Sequence, residues 1–153
     1  MAHTYTQIHI QVVFAVKRRE NIMLLPWREE VYKYMAGIIR EKKNKPIIIN
    51  GTSDHVHLFI GLHPANSISE LVRDIKSGST NFIHTQNFVR GCFSWQEGYG
   101  AFSYAHSQVE NVYQYILRQN EHHKGKTFRE EYLEILKKFD VGYDDQYLFD
   151  WLQ

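Results

Sequence analysis

The sequence predicts an α+β fold, a ferredoxin-like antiparallel sheet in the order β-α-β-β-α-β with helices on one face and further helices at the C-terminus. Three observations carry that reading. Strict apolar alternation opens the chain, with Ile8, Ile10, Val12, Phe14 and Val16 on one face. Three Ser/Thr-x-x-Glu boxes, at Ser67, Ser107 and Thr127, each precede a stretch with helical periodicity. The chain has 153 residues, 43% of them hydrophobic, which is enough for one packed core and too short for two.

Gln7 to Val16 is the first predicted strand, closed by the basic turn Lys17-Arg18-Arg19. Pro26 then pre-sets the first turn of a helix with the apolar stripe Trp27, Val31, Tyr34, Met35, Ile38 and Ile39. It ends near Lys42-Lys43-Asn44-Lys45 and Pro46. Ile47 to Asn50 is a short β-branched run, and Val56 to Leu62 a strand after a turn at Gly51–Asp54. Ser67 opens a helix through Leu71, Val72, Ile75 and Phe82. Phe93 to Gln96 is the expected fourth strand, before the glycine-punctuated Gly98-Tyr99-Gly100. Ser107 starts a helix to about His122, and Thr127 one with Phe128, Tyr132, Ile135, Leu136 and Phe139 on one side. The acidic, aromatic stretch Asp144 to Trp151 is expected to dock rather than hang free. No repeat or linker divides the chain, so residues 1–153 form one domain. Within it, 1–105 is the sheet-bearing core, 106–125 a tyrosine-bearing helix and 126–153 the last helix and acidic tail.

Composition narrows the function classes. The single cysteine, Cys92, excludes an internal disulfide and a Cys-rich zinc module; it reads as a small core residue in a reducing compartment. No signal segment and no apolar run of membrane-spanning length is seen, so a cytoplasmic protein without membrane contact is expected. The net charge of +1 hides a split. Residues 1–126 carry 15 Lys and Arg against 10 Asp and Glu, and residues 127–153 carry 3 against 7. The basic body is compatible with a nucleic-acid partner.

His55-Val56-His57 lies in a predicted strand, so both imidazoles leave one face, close enough to share a divalent metal. With nine histidines, chance alone gives roughly half a His-x-His, so the pair needs support; otherwise it is two strand histidines. The helix after Ser107 supplies that support. Val109, Val112, Tyr113, Ile116 and Leu117 gather on one side of it. Gln108, Asn111, Tyr115, Gln119 and His122 gather on another, with no aliphatic residue among them. A tyrosine inside a polar stripe is not explained by core packing, and the Gln119 amide faces the same space one turn on. A tyrosine with metal-binding histidines and an amide oxygen suggests phosphoryl transfer to the phenol.

Asp54-His55-Val56-His57-Leu58 resembles the His-hydrophobic-His motif of the single-tyrosine HUH transposases of the insertion sequence 200/605 type. The resemblance runs through Val13-Phe14-Ala15-Val16-Lys17-Arg18-Arg19, Ile49-Asn50-Gly51, Ser69-Glu70-Leu71-Val72 and Ile75-Lys76-Ser77. It continues through Trp95 to Ser103, Tyr115-Ile116 with Gln119, Glu121-His122-His123-Lys124 and Phe128-Arg129-Glu130-Glu131-Tyr132. It implies a fold of the HUH nuclease type, Tyr115 as nucleophile, and His55, His57 and Gln119 as ligands of Mg²⁺ or Mn²⁺. It further implies hairpin-ended single-stranded DNA as substrate, cleaved and rejoined through a 5′-phosphotyrosine, and a homodimer with two sites. Asn120 departs from the family's habit of a charged residue there.

Lys17, Arg18, Arg19, Lys42, Lys43, Arg73 and Lys76 are candidates for gripping phosphates; for those near residue 42 a solvated helix end is the equal alternative. His63 precedes Pro64 and reads as a loop residue. Three other readings stay open. They are a domesticated relative that processes repeated palindromic DNA, a ferredoxin-like nucleic-acid-binding module without catalysis, and a zinc hydrolase using His63 or His122 as third ligand.

Overall fold

The computed structural model describes residues 3–17, 23–122 and 125–151, with the backbone alone at His122. Arg18, Arg19 and His123 lie outside the described residues. The elements are β1 (His9–Ala15), α1 (Leu25–Glu41), β2 (Lys45–Gly51), β3 (His55–Gly61), α2 (Ile68–Thr85), β4 (Gly100–Tyr104), α3 (Val109–Leu117), α4 (Gln119–His122) and α5 (Phe128–Lys138). The strands form one sheet in the order β2-β3-β1-β4, and every neighbouring pair is antiparallel. That is the ferredoxin-like arrangement expected.

Alternation sorts the side chains of β1 and β3 to two faces. Val12, Phe14, Val56, Leu58 and Ile60 join Met35, Ile39, Leu71 and Ile75 in the main core under α1 and α2. His55, His57, Phe59, Gln11 and Val13 occupy the other face, where Val13 pairs with His57 and Ala15 with His55. There the C-terminal helices close over the sheet; Phe59, Val112 and Ile116 make a small second cluster. Both faces are therefore covered, and all of these strand side chains are buried.

Two caps fall where the sequence puts them. Ser67 Oγ accepts from Glu70 N at 3.2 Å, and Thr127 Oγ1 from Glu130 N at 3.1 Å. The third does not. A 3₁₀ turn at His106–Gln108 precedes α3, and Gln108 Oε1 accepts from Ala105 N at 3.0 Å, so Ala105 rather than Ser107 stands at the start. The expected helix to His122 is also interrupted. Arg118 leaves the helical region, and Asn50 Nδ2 of β2 donates to the freed carbonyls of Ile116 and Leu117, both at 3.1 Å.

The fourth strand is the largest departure. Phe93 and Trp95 alternate and are buried, yet the segment makes one bridge, Val16 to Trp95. Gln96 N donates to Ala15 O at 2.8 Å and Lys17 N to Ser94 O at 3.0 Å, so the segment meets only the end of β1. α2 anchors it as well: Trp95 Nε1 donates to Ser79 Oγ at 3.0 Å, and Phe93 N to His84 Nε2 at 2.8 Å. Gly100–Tyr104 is the fourth strand of the sheet, paired along His9–Val13 of β1, just before the residues that Ser94 to Gln96 touch. On α1 the buried tyrosine is Tyr32, whereas Tyr34 is exposed and stacks on Phe82 at 4.4 Å. Leu117 is exposed too, and so is Cys92, which is not a core residue. The acidic tail docks as expected. Phe149 is buried beside Tyr132, and Gln96 and Asp150 exchange two hydrogen bonds, at 2.7 and 2.6 Å.

Gly51 permits the turn that aims His55. An added Cβ there would overlap the His55 carbonyl and lie 2.9 Å from Val56 Cα, so the two strands can meet this closely only at glycine.

Candidate active site

β3 delivers His55 and His57 side by side, their rings 5.2 Å apart, into the space closed by α3, α4 and α5. Each ring is held from behind. His55 Nδ1 donates to Asp54 Oδ1 at 2.8 Å, with Thr52 Oγ1 at 2.9 Å, and the ring stacks on Phe128 at 3.9 Å. His57 Nδ1 meets the Gln11 amide at 2.8 Å, and Gln11 Oε1 accepts from the Tyr104 hydroxyl at 2.8 Å. Both Nε2 atoms are thereby turned toward one place.

Gln119 and Glu131 fill that place. His55 Nε2 lies 3.1 Å from Gln119 Oε1 and 3.4 Å from Glu131 Oε1, and His57 Nε2 lies 3.3 Å from the same Glu131 oxygen. The other oxygen, Oε2, accepts from Gln119 Nε2 at 2.8 Å and from the Tyr115 hydroxyl. Tyr115, on α3, is half-buried, and its ring stands edge-on to His57 with centroids 6.1 Å apart. The histidines, Gln119 and Glu131 are buried. The structure brings His55, His57, Tyr115 and Gln119 together within one chain.

Glu131 was not singled out from the sequence, although a signal existed. It lies between Phe128 and Tyr132 on the spacing that carries the apolar side of α5, and an acid in a core position of an amphipathic helix needs an explanation.

The charges follow from this packing. Burial alone would lower the His55 pKa, but hydrogen bonds and charge from Asp54 and Glu131 outweigh it and hold the pKa above its ordinary 6.5. Burial, the Glu131 charge and its hydrogen bond drive the Tyr115 phenol well above its usual 10. Tyr115 is therefore a neutral phenol at physiological pH whose proton points at a carboxylate.

Among the described residues, His55, His57 and Glu131 offer ligand atoms within 4.8 Å of one another. Neighbouring ligands at right angles with bonds of about 2.1 Å stand about 3.0 Å apart, so spacings of 3.1 to 3.4 Å fit one small divalent ion. The Asp54 bond to His55 Nδ1 also leaves Nε2 as the ligating nitrogen.

The candidate phosphate-gripping residues stand elsewhere. Lys42 pairs with Asp74 at 2.6 Å, and Arg73 Nε donates to the same acid at 3.3 Å, both in the α1–α2 layer. Lys76 donates to the carbonyls of Gln96 and Gly98 at 2.8 and 2.6 Å, and burial lowers its pKa to about 8, so it ties α2 to the following loop. Lys17 and Lys43 are exposed. His63 lies in the loop after β3, where its Nδ1 accepts from Ala65 N.

Solved structures share this architecture. One assigned as a transposase from Deinococcus radiodurans R1 is 17% identical, with a TM-score of 0.60 over 78% of this chain and 95% of that one. Another is a REP-associated tyrosine transposase bound to a REP hairpin, 14% identical, with a TM-score of 0.59 over 80% of this chain and 73% of that one. The fold is that of the tyrosine transposases. Residues 4–119 match the family described as "Transposase IS200 like", and the chain belongs to that family. No curated protein matches it. The family match ends at Gln119, so Glu131 lies beyond it.

Proposed function

We propose that this transposase cuts and rejoins hairpin-ended single-stranded DNA in the cytoplasm, with Tyr115 as nucleophile and a 5′-phosphotyrosine intermediate. One observation carries the reading. A single buried carboxylate accepts the Tyr115 proton through one oxygen and faces both histidine Nε2 atoms through the other. A core built only for stability has no use for that arrangement, because burying an acid among polar groups is costly.

His55, His57 and Glu131 hold the divalent metal, with the Gln119 oxygen beside them. The hard carboxylate suits Mg²⁺ or Mn²⁺. When bound, the ion supplies positive charge to the scissile phosphate and the departing 3′ oxygen. Ligation through His57 Nε2 leaves the proton on Nδ1, so the Gln11 amide presents its oxygen there; the Tyr104 hydroxyl, able to accept as well as donate, allows the half-turn.

The Tyr115 oxygen attacks phosphorus while its proton passes to Glu131 Oε2. The new bond joins tyrosine to the 5′ phosphate, and the bond to the 3′ oxygen breaks. That oxygen takes a proton from water and leaves as a hydroxyl. A second 3′ hydroxyl reverses the step with no nucleotide cofactor, since the phosphotyrosine bond keeps the phosphodiester energy. Strand exchange needs two cut ends together, hence a homodimer. Lys17, Lys42, Lys43 and Arg73 contribute backbone contacts to the hairpin.

The test is covalent trapping on a denaturing gel, with single-stranded oligonucleotides from the DNA flanking the gene. The native chain and Tyr113→Phe should form an adduct; Tyr115→Phe, or the native chain with excess chelator, should not. An adduct with Tyr115→Phe would sink the assignment.

A further inference from the structure

The polar stripe before Tyr115 has two members that strand cleavage leaves unused. Gln108 and Asn111 precede Tyr115 by about 10 and 6 Å along the helix axis, on its side. Both are exposed, and Asn111 makes no side-chain hydrogen bond to another described residue. Gln108 spends its oxygen on Ala105 N and keeps its amide hydrogens for another partner.

Both line a pocket of about 380 Å³ that also holds Tyr104, Val112 and Ile135. Its deep end is the buried Gln11 and Glu131 beside the Tyr115 hydroxyl, and Lys126 and Lys138 stand at its mouth. Lys138 Nζ sits 5.7 Å over the Tyr104 ring, and Lys126 holds Glu134 at 2.5 Å. The volume is at the small end of the roughly 300 to 1,000 Å³ that encloses small organic molecules. A ring and two aliphatic side chains offer flat apolar contact. Asn111 offers a paired donor and acceptor, Gln108 its amide hydrogens, and Lys138 brings a positive charge to the mouth, where Glu134 offsets that of Lys126. Those are the requirements of one nucleobase with its phosphate outside.

We propose that this pocket holds the base adjoining the phosphate that Tyr115 attacks, and that Asn111 and Gln108 read its edge. The Asn111 amide matches a donor and an acceptor side by side, which every unpaired base presents, so the pocket's shape and the Gln108 amide hydrogens set which base is preferred. The proposal rests on the cleavage reading above. It gives that reading a protein-borne base preference at the cut.

Two measurements test it. First, the side-chain amide NMR signals of Asn111 are followed as each of the four deoxynucleoside 5′-monophosphates is added. Movement is expected, at a lower concentration with one nucleotide than with the others; signals unmoved by all four would overturn the pocket. Second, the cut site is mapped by trapping and the bases flanking it are varied. The native chain should lose about tenfold in adduct rate on one such change, and Asn111→Ala should flatten that difference. Asn111→Ala removes no hydrogen bond of the fold and favours helix, so it keeps the structure, whereas Gln108→Ala also loosens the turn before α3. A base preference intact in Asn111→Ala would overturn the proposal. If mononucleotides move Asn111 while no Tyr115-dependent adduct forms, the cleavage reading falls and the nucleotide pocket stands.

Discussion

Glu131 is 2% exposed, and a phenol, an amide and two imidazoles share its two oxygens. Glu131→Gln keeps the volume and one acceptor oxygen and removes the charge. We expect adduct formation to fall by about 10²- to 10⁴-fold, since the phenol loses its proton acceptor. Mn²⁺ affinity by calorimetry should fall at least tenfold or so. The melting temperature should hold, because a neutral amide is easier to bury than an acid. Unchanged adduct formation would remove Glu131 from the chemistry. His55 sets the pH dependence. Its pKa is raised above 6.5 in the metal-free chain, so a bound ion must displace a proton at pH values where a free histidine has already lost one. Metal affinity should therefore weaken about tenfold per pH unit below that raised value and level off above it. Titration in two buffers of different ionisation enthalpy should show proton release on the weak side. Release absent throughout would contradict the sign.

At the scale of elements, Arg118 separates the helix that carries Tyr115 from the turn that carries Gln119. The two residues still meet at Glu131 Oε2, because Asn50 of β2 fastens the end of α3 with two hydrogen bonds. Asn50→Ala leaves two carbonyls without that donor. A loss of about 1 to 2 kcal/mol is expected in a denaturant titration. Adduct rate should fall by more than stability accounts for, since the variant stays folded while Tyr115 loses its fixed position relative to Gln119. A proportionate loss in both would reduce Asn50 to a structural role.

For the whole molecule, one chain contributes every group of the candidate site, with α3 tied to β2 and α5 set over the same sheet face. Mixed His55→Ala and Tyr115→Phe chains should therefore fail to form an adduct even in verified heterodimers. Recovery of about a quarter or more of native activity would mean that α3 reaches the partner's site, as expected for composite sites in a two-fold dimer. Among the described residues no helix is long and apolar enough to cross a membrane.

Much of this protein is legible in its sequence because it depends on neighbours in the chain. Alternation in β1 and β3 sends His55 and His57 to one face and Val56 and Leu58 to the other, whichever strands flank them. The hydroxyls of Ser67 and Thr127 cap their helices through bonds three residues long. The side of α3 that bears Tyr115 follows from helical geometry, although the break at Arg118 puts Gln119 on the next turn. Other features depend on what packs across the molecule. Phe93 to Gln96 alternates like a strand, but it reaches only the end of β1, at Ala15 to Lys17, and Gly100–Tyr104 pairs along the earlier residues; how far a segment runs beside its neighbour is not written in its alternation. The polar stripe reads as one face, yet tertiary packing splits it: Gln108 and Asn111 stay exposed, whereas Gln119 is fully buried against His55 and Glu131. Glu131 becomes part of the site only when α5 lands on β3, seventy-odd residues away in sequence. The identity of the histidine pair was local chemistry. The carboxylate that joins it to Tyr115 was decided by tertiary packing, because a buried charge is tolerated only where the partners from other elements converge.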